Sequence, residues 1–156
     1  MGKPTGFLEY ERREAAYRPV AERIGDWDEF IIPHETDELN TQSARCMDCG
    51  VAFCHAGFVV DGLPIGCPLC NLIPEINDLV YRGETEKAYA RLSKTHPFPE
   101  FTSRVCPALC EGSCTLGEYE PPVTVKAIER FVVDEMMRLG KVRPRVSGIN
   151  SGKRVA

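Results

Sequence analysis

Eight cysteines constrain this chain more than any other feature of its sequence. They form two groups, separated by residues 71–105, which contain none: Cys46, Cys49, Cys54, Cys67 and Cys70, then Cys106, Cys110 and Cys114. Disulfides persist mainly in oxidising compartments, and the N-terminal residues lack the apolar core of a secretory signal. We therefore expect a cytoplasmic protein whose cysteines bind metal rather than form disulfides.

Length and charge narrow the possible partners. A chain of 156 residues has room for one domain, since domains typically contain about 100–200 residues. Its formal net charge of -4 disfavours nucleic acid and anionic membranes as partners. Its uncharged stretches are shorter than the roughly 20 apolar residues that span a bilayer. We therefore expect neither a nucleic-acid partner nor a membrane.

The spacing of the cysteines indicates which metal they bind. Cys46, Cys49 and Cys54 form a C-x2-C-x4-C run, and a proline directly follows Cys67 and Cys106, as in the C-P step of bacterial ferredoxins. Zinc is the alternative, because structural zinc sites use paired C-x2-C knuckles with four ligands per site. Spacing alone favours iron–sulfur clusters and leaves zinc open.

Apolar periodicity predicts a mostly helical domain. Residues 74–81 and 84–94 have apolar positions at helical spacing, and Arg82-Gly83 ends the first of these helices. The strongest pattern begins at Thr124, a candidate N-cap, and runs to Leu139. Its apolar stripe contains Val125, Ile128, Val132, Met136 and Leu139. Glu129 lies on the edge of this stripe.

The remaining segments have weaker patterns. A short helix is predicted within residues 6–17, and Asp37 offers an N-cap for a helix that reaches toward Arg45. Residues 46–70 are rich in glycine and proline and are predicted to be a loop. No alternating strand pattern of convincing length occurs. The sequence also lacks the phosphate-binding motifs G-x-G-x-x-G and G-x-x-x-x-G-K-[ST], so we do not expect it to catalyse a reaction alone.

Four segments of the sequence resemble a single family. They are residues 44–55, 66–81, 98–114 and 122–129, which include all eight cysteines. Together they resemble the N-terminal iron–sulfur domain of the small (beta) subunit of bacterial glutamate synthase. A similar cysteine domain stands at the N-terminus of dihydropyrimidine dehydrogenase and related flavin oxidoreductases. Residues 4–8 and the region of Trp27 are similar to the N-terminal arm of the same family.

The resemblance implies an all-α, alpha-helical ferredoxin-type fold that holds two [4Fe-4S] clusters. In this arrangement residues 1–35 form an N-terminal arm, residues 36–140 the helical double-cluster domain, and residues 141–156 a linker. The linker would lead toward a downstream module that binds FAD and NADPH. Residues 153–156 resemble those just before its FAD-binding turn, so we expect either a piece of a longer protein or a cysteine domain encoded alone.

The same resemblance assigns ligands by position. Those of the first cluster would be Cys46, Cys49, Cys54 and Cys114; those of the second would be Cys67, Cys106, Cys110 and Glu129. Cys70 stands where relatives have glycine and is interpreted as a spare thiol, although Cys70 in place of Glu129 would also complete two sets of four. Residues 55–66 make the spacing longer than is usual in the family, and we expect a loop insertion that leaves ligation intact.

The function implied is electron transfer within NADPH-dependent glutamate synthase. The clusters would relay electrons between FAD and the large (alpha) subunit. Two other functions stay open from the sequence. The same cluster domain could serve another flavin oxidoreductase, or a zinc-stapled domain could do no more than dock a partner.

Overall fold

The computed structural model describes residues 2–144, 148–149 and 152–154. Within these residues the helices are α1 (Gly6–Glu9), α2 (Val20–Arg23), α3 (Thr36–Ala44), α4 (Ile73–Tyr81), α5 (Thr85–Leu92), α6 (Pro99–Val105), α7 (Leu109–Gly112) and α8 (Val125–Arg138). The strands are β1 (Ala16–Tyr17), β2 (Ile31–Ile32), β3 (Phe58–Val60) and β4 (Leu63–Ile65). Two 3-10 turns span Phe53–His55 and Thr115–Glu118. The described chain is therefore mostly helical, with a few short strands.

The core lies where α4 and α5 pack against α8, flanked by α3. Its largest apolar side chains are at most 2% exposed: Ile73, Ile76, Val80, Leu92, Ile128 and Val132. Burial of one such side chain contributes about 1.5–3 kcal/mol, so these helices form the frame on which the cysteine loops rest.

The two predicted helices before the second cysteine group are confirmed as α4 and α5. Gly83 separates them with a φ of 73°, a left-handed conformation that glycine adopts without steric cost. The predicted helix after Asp37 is confirmed as α3, but it begins at Thr36 with Glu35 at the N-cap. Asp37 instead lies in the first turn, where its charge interacts favourably with the helix dipole.

The prediction for α8 is confirmed in its bounds and wrong in two details. Thr124 occupies the N-cap position, but its side chain makes no capping hydrogen bond. The N–H of Lys126 instead donates to Oε1 of Glu111 at 2.9 Å, so a side chain from α7 caps α8. Leu139 is 46% exposed and does not belong to the buried stripe.

The N-terminal helix is shorter than predicted. It is limited to α1, and Ala16–Tyr17 pairs with Ile31–Ile32 as an antiparallel ribbon. The N-terminal residues contact the helical frame through two buried or half-buried arginines. Arg45 donates from Nε to the carbonyl of Tyr10 at 2.9 Å, and Arg12 donates from Nη1 to the carbonyl of Pro122 at 2.7 Å.

The expectation of a mostly helical domain is confirmed, and the structure adds short strands: an antiparallel hairpin, β3–β4, lies inside the predicted loop. Phe58 pairs with Ile65, and Val60 pairs with Leu63. The two residues between the strands, Asp61 and Gly62, have φ values of 48° and 82°. Two positive φ values characterise the type I′ turn, for which Asp-Gly between apolar runs is the strongest sequence signal. Residues 58–65 therefore form a hairpin, where the glycine and proline content of the segment predicts a loop.

The described residues contain no helix that is long and apolar enough to cross a membrane. The predicted C-terminal linker lies partly outside the described residues, at positions 145–147, 150–151 and 155–156. The predicted boundaries between arm, cluster domain and linker stay predictions.

Candidate metal centre

The first three cysteines are held at the end of α3. The helix ends at Ala44, and Arg45, its C-cap, is 1% exposed. The Arg45 guanidinium donates to the carbonyls of Tyr10, Pro121 and Pro122. Because three carbonyls fix this side chain, the backbone that continues into Cys46 is fixed as well.

Four thiols converge on one place beside this helix end. The pKa of Cys54 is raised to about 12. Burial is the main cause, and the charges of Cys46, Cys114 and Cys49 contribute the rest. Charges interact in this way only at short range, because solvent and ions screen more distant pairs. These charge effects agree with short distances between the four cysteines that the family resemblance predicts as ligands of the first cluster.

A second group forms around α7. Burial raises the pKa of Cys110, and the charges of Glu129, Glu111, Cys67 and Cys106 act in the same direction. Burial also raises the pKa of Cys67, to which Glu129 and Cys106 again contribute, whereas the backbone N–H groups of Asn71 and Leu69 lower it. Except for Glu111, these interacting residues are the ones that the family resemblance predicts as ligands of the second cluster.

Glu129 is the unusual member of the second group. It is 9% exposed on α8, and burial raises its pKa to about 7, against the lowering effect of a hydrogen bond from Asn71. Nδ2 of Asn71 donates to Oε1 of Glu129 at 2.9 Å. A buried carboxylate is costly without a cation or several donors, so its burial beside three thiols is a specific feature of this site.

Cys70 is placed differently from the other seven cysteines. It is the exposed one of the eight, and its backbone has a φ of 53°. Its Sγ lies against Gly57, where an added Cβ would approach that sulfur to 2.5 Å. The position at the surface agrees with the interpretation of Cys70 as a spare thiol.

The hairpin β3–β4 explains how a long insertion leaves the two groups undisturbed. The N–H of Cys67 donates to the carbonyl of Cys54 at 2.7 Å, so the chain leaves and returns at adjacent points. Gly66 permits this approach, since a Cβ there would lie 2.3 Å from the carbonyl oxygen of Phe53. The N–H of Gly66 also donates to Oγ of Ser113 at 2.9 Å, which ties the hairpin to the loop between Cys110 and Cys114.

Two further polar side chains lie beside the first group. Asn77 on α4 is 1% exposed, and neither polar atom of its side chain has a hydrogen-bond partner of normal geometry. Burial raises the pKa of Cys46, while the nearby Asn77 amide lowers it. Nδ1 of His55 is also buried without a hydrogen bond. Buried polar groups nearly always have a partner. The side-chain amide of Asn77 and Nδ1 of His55 are therefore available to make hydrogen bonds to a polar group bound beside these thiols.

The donor set fits a cluster. Within the described residues, no three His, Cys, Asp or Glu side chains are close enough to hold a single metal ion. Thiolates are the ligands that a four-iron cluster takes, one at each iron atom, and the described cysteines supply donors of this kind. An open cavity of about 310 Å³ lies beside Cys49, between its loop and the first turn of α4.

A mostly helical frame that gathers cysteines from distant segments into separate groups is typical of iron–sulfur domains. Comparison with known families agrees with this class: residues 23–141 match the family described as dihydropyrimidine dehydrogenase domain II, 4Fe-4S cluster. The chain belongs to that family.

Individual relatives are similar to the whole chain. The glutamate synthase [NADPH] small chain of Bacillus subtilis is 51% identical over 156 residues, which cover 100% of this chain and 32% of the relative. The corresponding small chain of Mycobacterium tuberculosis is 45% identical over 157 residues, covering 100% of this chain and 30% of the relative. A putative oxidoreductase of Escherichia coli is 35% identical over 141 residues, covering 88% of this chain and 20% of the relative. The chain thus spans about a third or less of the length of these relatives.

Proposed function

We propose that this chain is the electron-transfer domain of an NADPH-dependent glutamate synthase small subunit, which relays electrons between FAD and the large subunit through two [4Fe-4S] clusters. The observation that carries the proposal is that cysteines from both segments of the sequence, together with the buried Glu129, lie close enough for their charges to raise the pKa values of Cys54 and Cys110. The 51% identity with a glutamate synthase small chain supports the choice of enzyme.

The ligands of the first cluster are proposed to be Cys46, Cys49, Cys54 and Cys114, and those of the second Cys67, Cys106, Cys110 and Glu129. When bound, each cluster would supply one-electron transfer. The protein's part is to hold the thiolates at fixed positions and to exclude water from the sulfurs. It also supplies backbone and amide N–H groups, because hydrogen bonds to sulfur and burial set the reduction potential.

FAD and NADPH would bind to a downstream module, and the large subunit would receive the electrons. We place the protein in the cytoplasm, where free thiols stay reduced and available to iron. Its net charge of -4 supports a protein partner rather than nucleic acid or an anionic membrane.

Anaerobic purification followed by iron, sulfide and zinc analysis tests the cofactor. We expect a brown protein with about eight iron and eight sulfide per chain, since two four-iron clusters contain that number, and a visible absorbance that dithionite bleaches. Stoichiometric zinc without sulfide would refute the electron-transfer function and favour the zinc-stapled docking domain.

A second experiment separates glutamate synthase from another flavin oxidoreductase, which the putative oxidoreductase of Escherichia coli keeps as an alternative. The iron-loaded chain is mixed anaerobically with a glutamate synthase large subunit, and complex formation is measured by size-exclusion chromatography. We expect the wild-type chain to form a complex. The surface control, the Trp27→Ala variant, should form the same complex with an equal or slightly lower affinity. Failure of the loaded wild-type chain to bind would favour the other flavin enzyme.

A further inference from the structure

A buried carboxamide connects two members of the second group. Asn71 is 1% exposed and follows the exposed Cys70. Its backbone N–H donates toward the sulfur of Cys67, and its side chain donates to Glu129 at 2.9 Å. A single residue thus contacts a thiol from the first cysteine group of the sequence and a carboxylate 58 residues away.

The orientation of this carboxamide is determined by its two partners. An ionised carboxylate can only accept, so Nδ2 of Asn71 has to face Glu129. Oδ1 then faces Thr95, whose Oγ1 donates to it at 2.7 Å. A rotation of the amide by 180° would bring Oδ1 against the carboxylate and lose the hydrogen bond to Glu129.

Among the hydrogen bonds of the described residues, Asn71 is the donor that orients the Glu129 carboxylate. Its neighbours along α8 are the buried apolar residues Val125, Val132 and Val133. Among the hydrogen bonds of the described residues, its carboxylate accepts one, at Oε1. The contact with Asn71 therefore engages Oε1 of Glu129 and leaves Oε2 available to bind a metal.

We propose that Asn71 and Thr95 are positioning residues that present Glu129, through its second oxygen, as the carboxylate ligand of the second cluster. The inference rests on the proposed function, since it requires a cluster at this group. It also gives a physical reason why Cys70 is dispensable. The residue next to it engages Cys67 and Glu129, while the left-handed backbone at Cys70 directs its thiol to the surface beside Gly57.

The two hydrogen bonds from Thr95 to Asn71 and from Asn71 to Glu129, here called the relay, affect the reduction potential of the second cluster. A hydrogen bond to Oε1 withdraws negative charge from the carboxylate and so favours the more negative, reduced form of the cluster. Loss of the hydrogen bond should therefore lower the midpoint potential of this cluster. The first cluster should be unaffected, because its ligands make no contact with Thr95 among the hydrogen bonds of the described residues.

The experiment is an EPR-monitored redox titration of the full, iron-loaded chain in four forms: wild type, Asn71→Leu, Thr95→Val and Thr95→Ser. We expect Asn71→Leu and Thr95→Val to lower the potential and alter the EPR signal of one cluster only. Thr95→Ser keeps the hydroxyl and should restore the wild-type values, a rescue that a purely structural role would not require. If Asn71→Leu loses that cluster completely, the midpoint potentials of Thr95→Val and Thr95→Ser test the proposal without it.

A double-mutant comparison identifies the carboxylate as the target. In a Glu129→Ala background, Thr95→Val should cause no further shift, because the interaction that it weakens is already absent. An unchanged potential in Thr95→Val, or an equal shift with and without Glu129, would overturn the relay. A wild-type chain without clusters would instead refute the proposed function, so the two failures are distinguishable.

Discussion

Replacing Gly66 with alanine is expected to disrupt both cysteine groups through one steric conflict. Gly66 has a φ of 73° and lies where β4 returns to the 3-10 turn that contains Cys54. An added Cβ would be 2.3 Å from the carbonyl oxygen of Phe53 and 2.8 Å from the backbone nitrogen of Ala56. Both neighbours are backbone atoms, so the conflict cannot be relieved by a side-chain rotation.

The magnitude follows from two contributions. A non-glycine residue in the left-handed region costs about 1–2 kcal/mol. The backbone shift that relieves the overlap would also weaken two hydrogen bonds, from Cys67 to the Cys54 carbonyl and from Gly66 to Ser113, each worth about 1 kcal/mol, in addition to the residual strain. We therefore expect a loss of about 3–5 kcal/mol in the free energy of unfolding.

Gly62 offers a matched control in the same hairpin. Its φ is 82°, and a Cβ there would meet nothing within 4 Å. Gly62→Ala should therefore cost only the conformational penalty of about 1–2 kcal/mol. For a domain of this size 1 kcal/mol corresponds to about 2–4 °C in the unfolding midpoint, so we expect a decrease of about 2–8 °C for Gly62→Ala and of roughly 6–20 °C for Gly66→Ala.

The assay is thermal unfolding of the iron-loaded chain under anaerobic conditions, followed by circular dichroism, with iron content measured in parallel. Gly66→Ala should lose iron from both clusters, because Cys54 and Cys67 belong to different groups and share the distorted hydrogen bond. Equal, small decreases in the midpoint for the two variants, with iron content unchanged in both, would refute the reasoning.

Three further predictions concern single side chains around the clusters. Cys70→Ser should keep the full iron content while Glu129→Ala perturbs one cluster in its EPR signal; an equal loss of iron in Cys70→Ser would contradict our ligand assignment. Arg45→Met removes donors to three carbonyls and should lower the free energy of unfolding by about 3 kcal/mol, measured by anaerobic denaturant titration; a change below about 1 kcal/mol would show that these contacts are dispensable. Asn77→Leu should lower the midpoint potential of the cluster at Cys46 with its iron retained, and a shift confined to the other cluster would show that the amide acts elsewhere.

Much of the frame could be predicted from short stretches of sequence. The helices α4, α5 and α8 follow from apolar residues at helical spacing and from glycines at positions 83 and 140, which are local properties of the chain. The spacing of the cysteines likewise predicts metal chemistry without any knowledge of the fold. The signal for the hairpin β3–β4 is equally local, since Asp61-Gly62 lies between apolar runs. Its strands of three residues are too short for an alternating pattern to predict them.

The grouping of the ligands is a different kind of information. Cys110 and Cys114 are four residues apart, yet the resemblance to a family predicts that they bind different clusters, and no spacing rule separates them. The capping of α8 by Glu111 and the contact between Asn71 and Glu129 join residues that are 15 and 58 positions apart. Such contacts depend on how helices pack against one another rather than on neighbouring residues.

The sequence by itself therefore determined that this chain is mostly helical and that its thiols bind metal, because periodicity, chain-breaking residues and cysteine spacing act over a few residues. Only the tertiary structure decided which thiols are shielded from water, why Cys70 stays at the surface, and how the buried Glu129 is held by Asn71. The physical reason is that burial and hydrogen-bond partners come from segments far apart in the chain, which the packing of α4, α5 and α8 brings together.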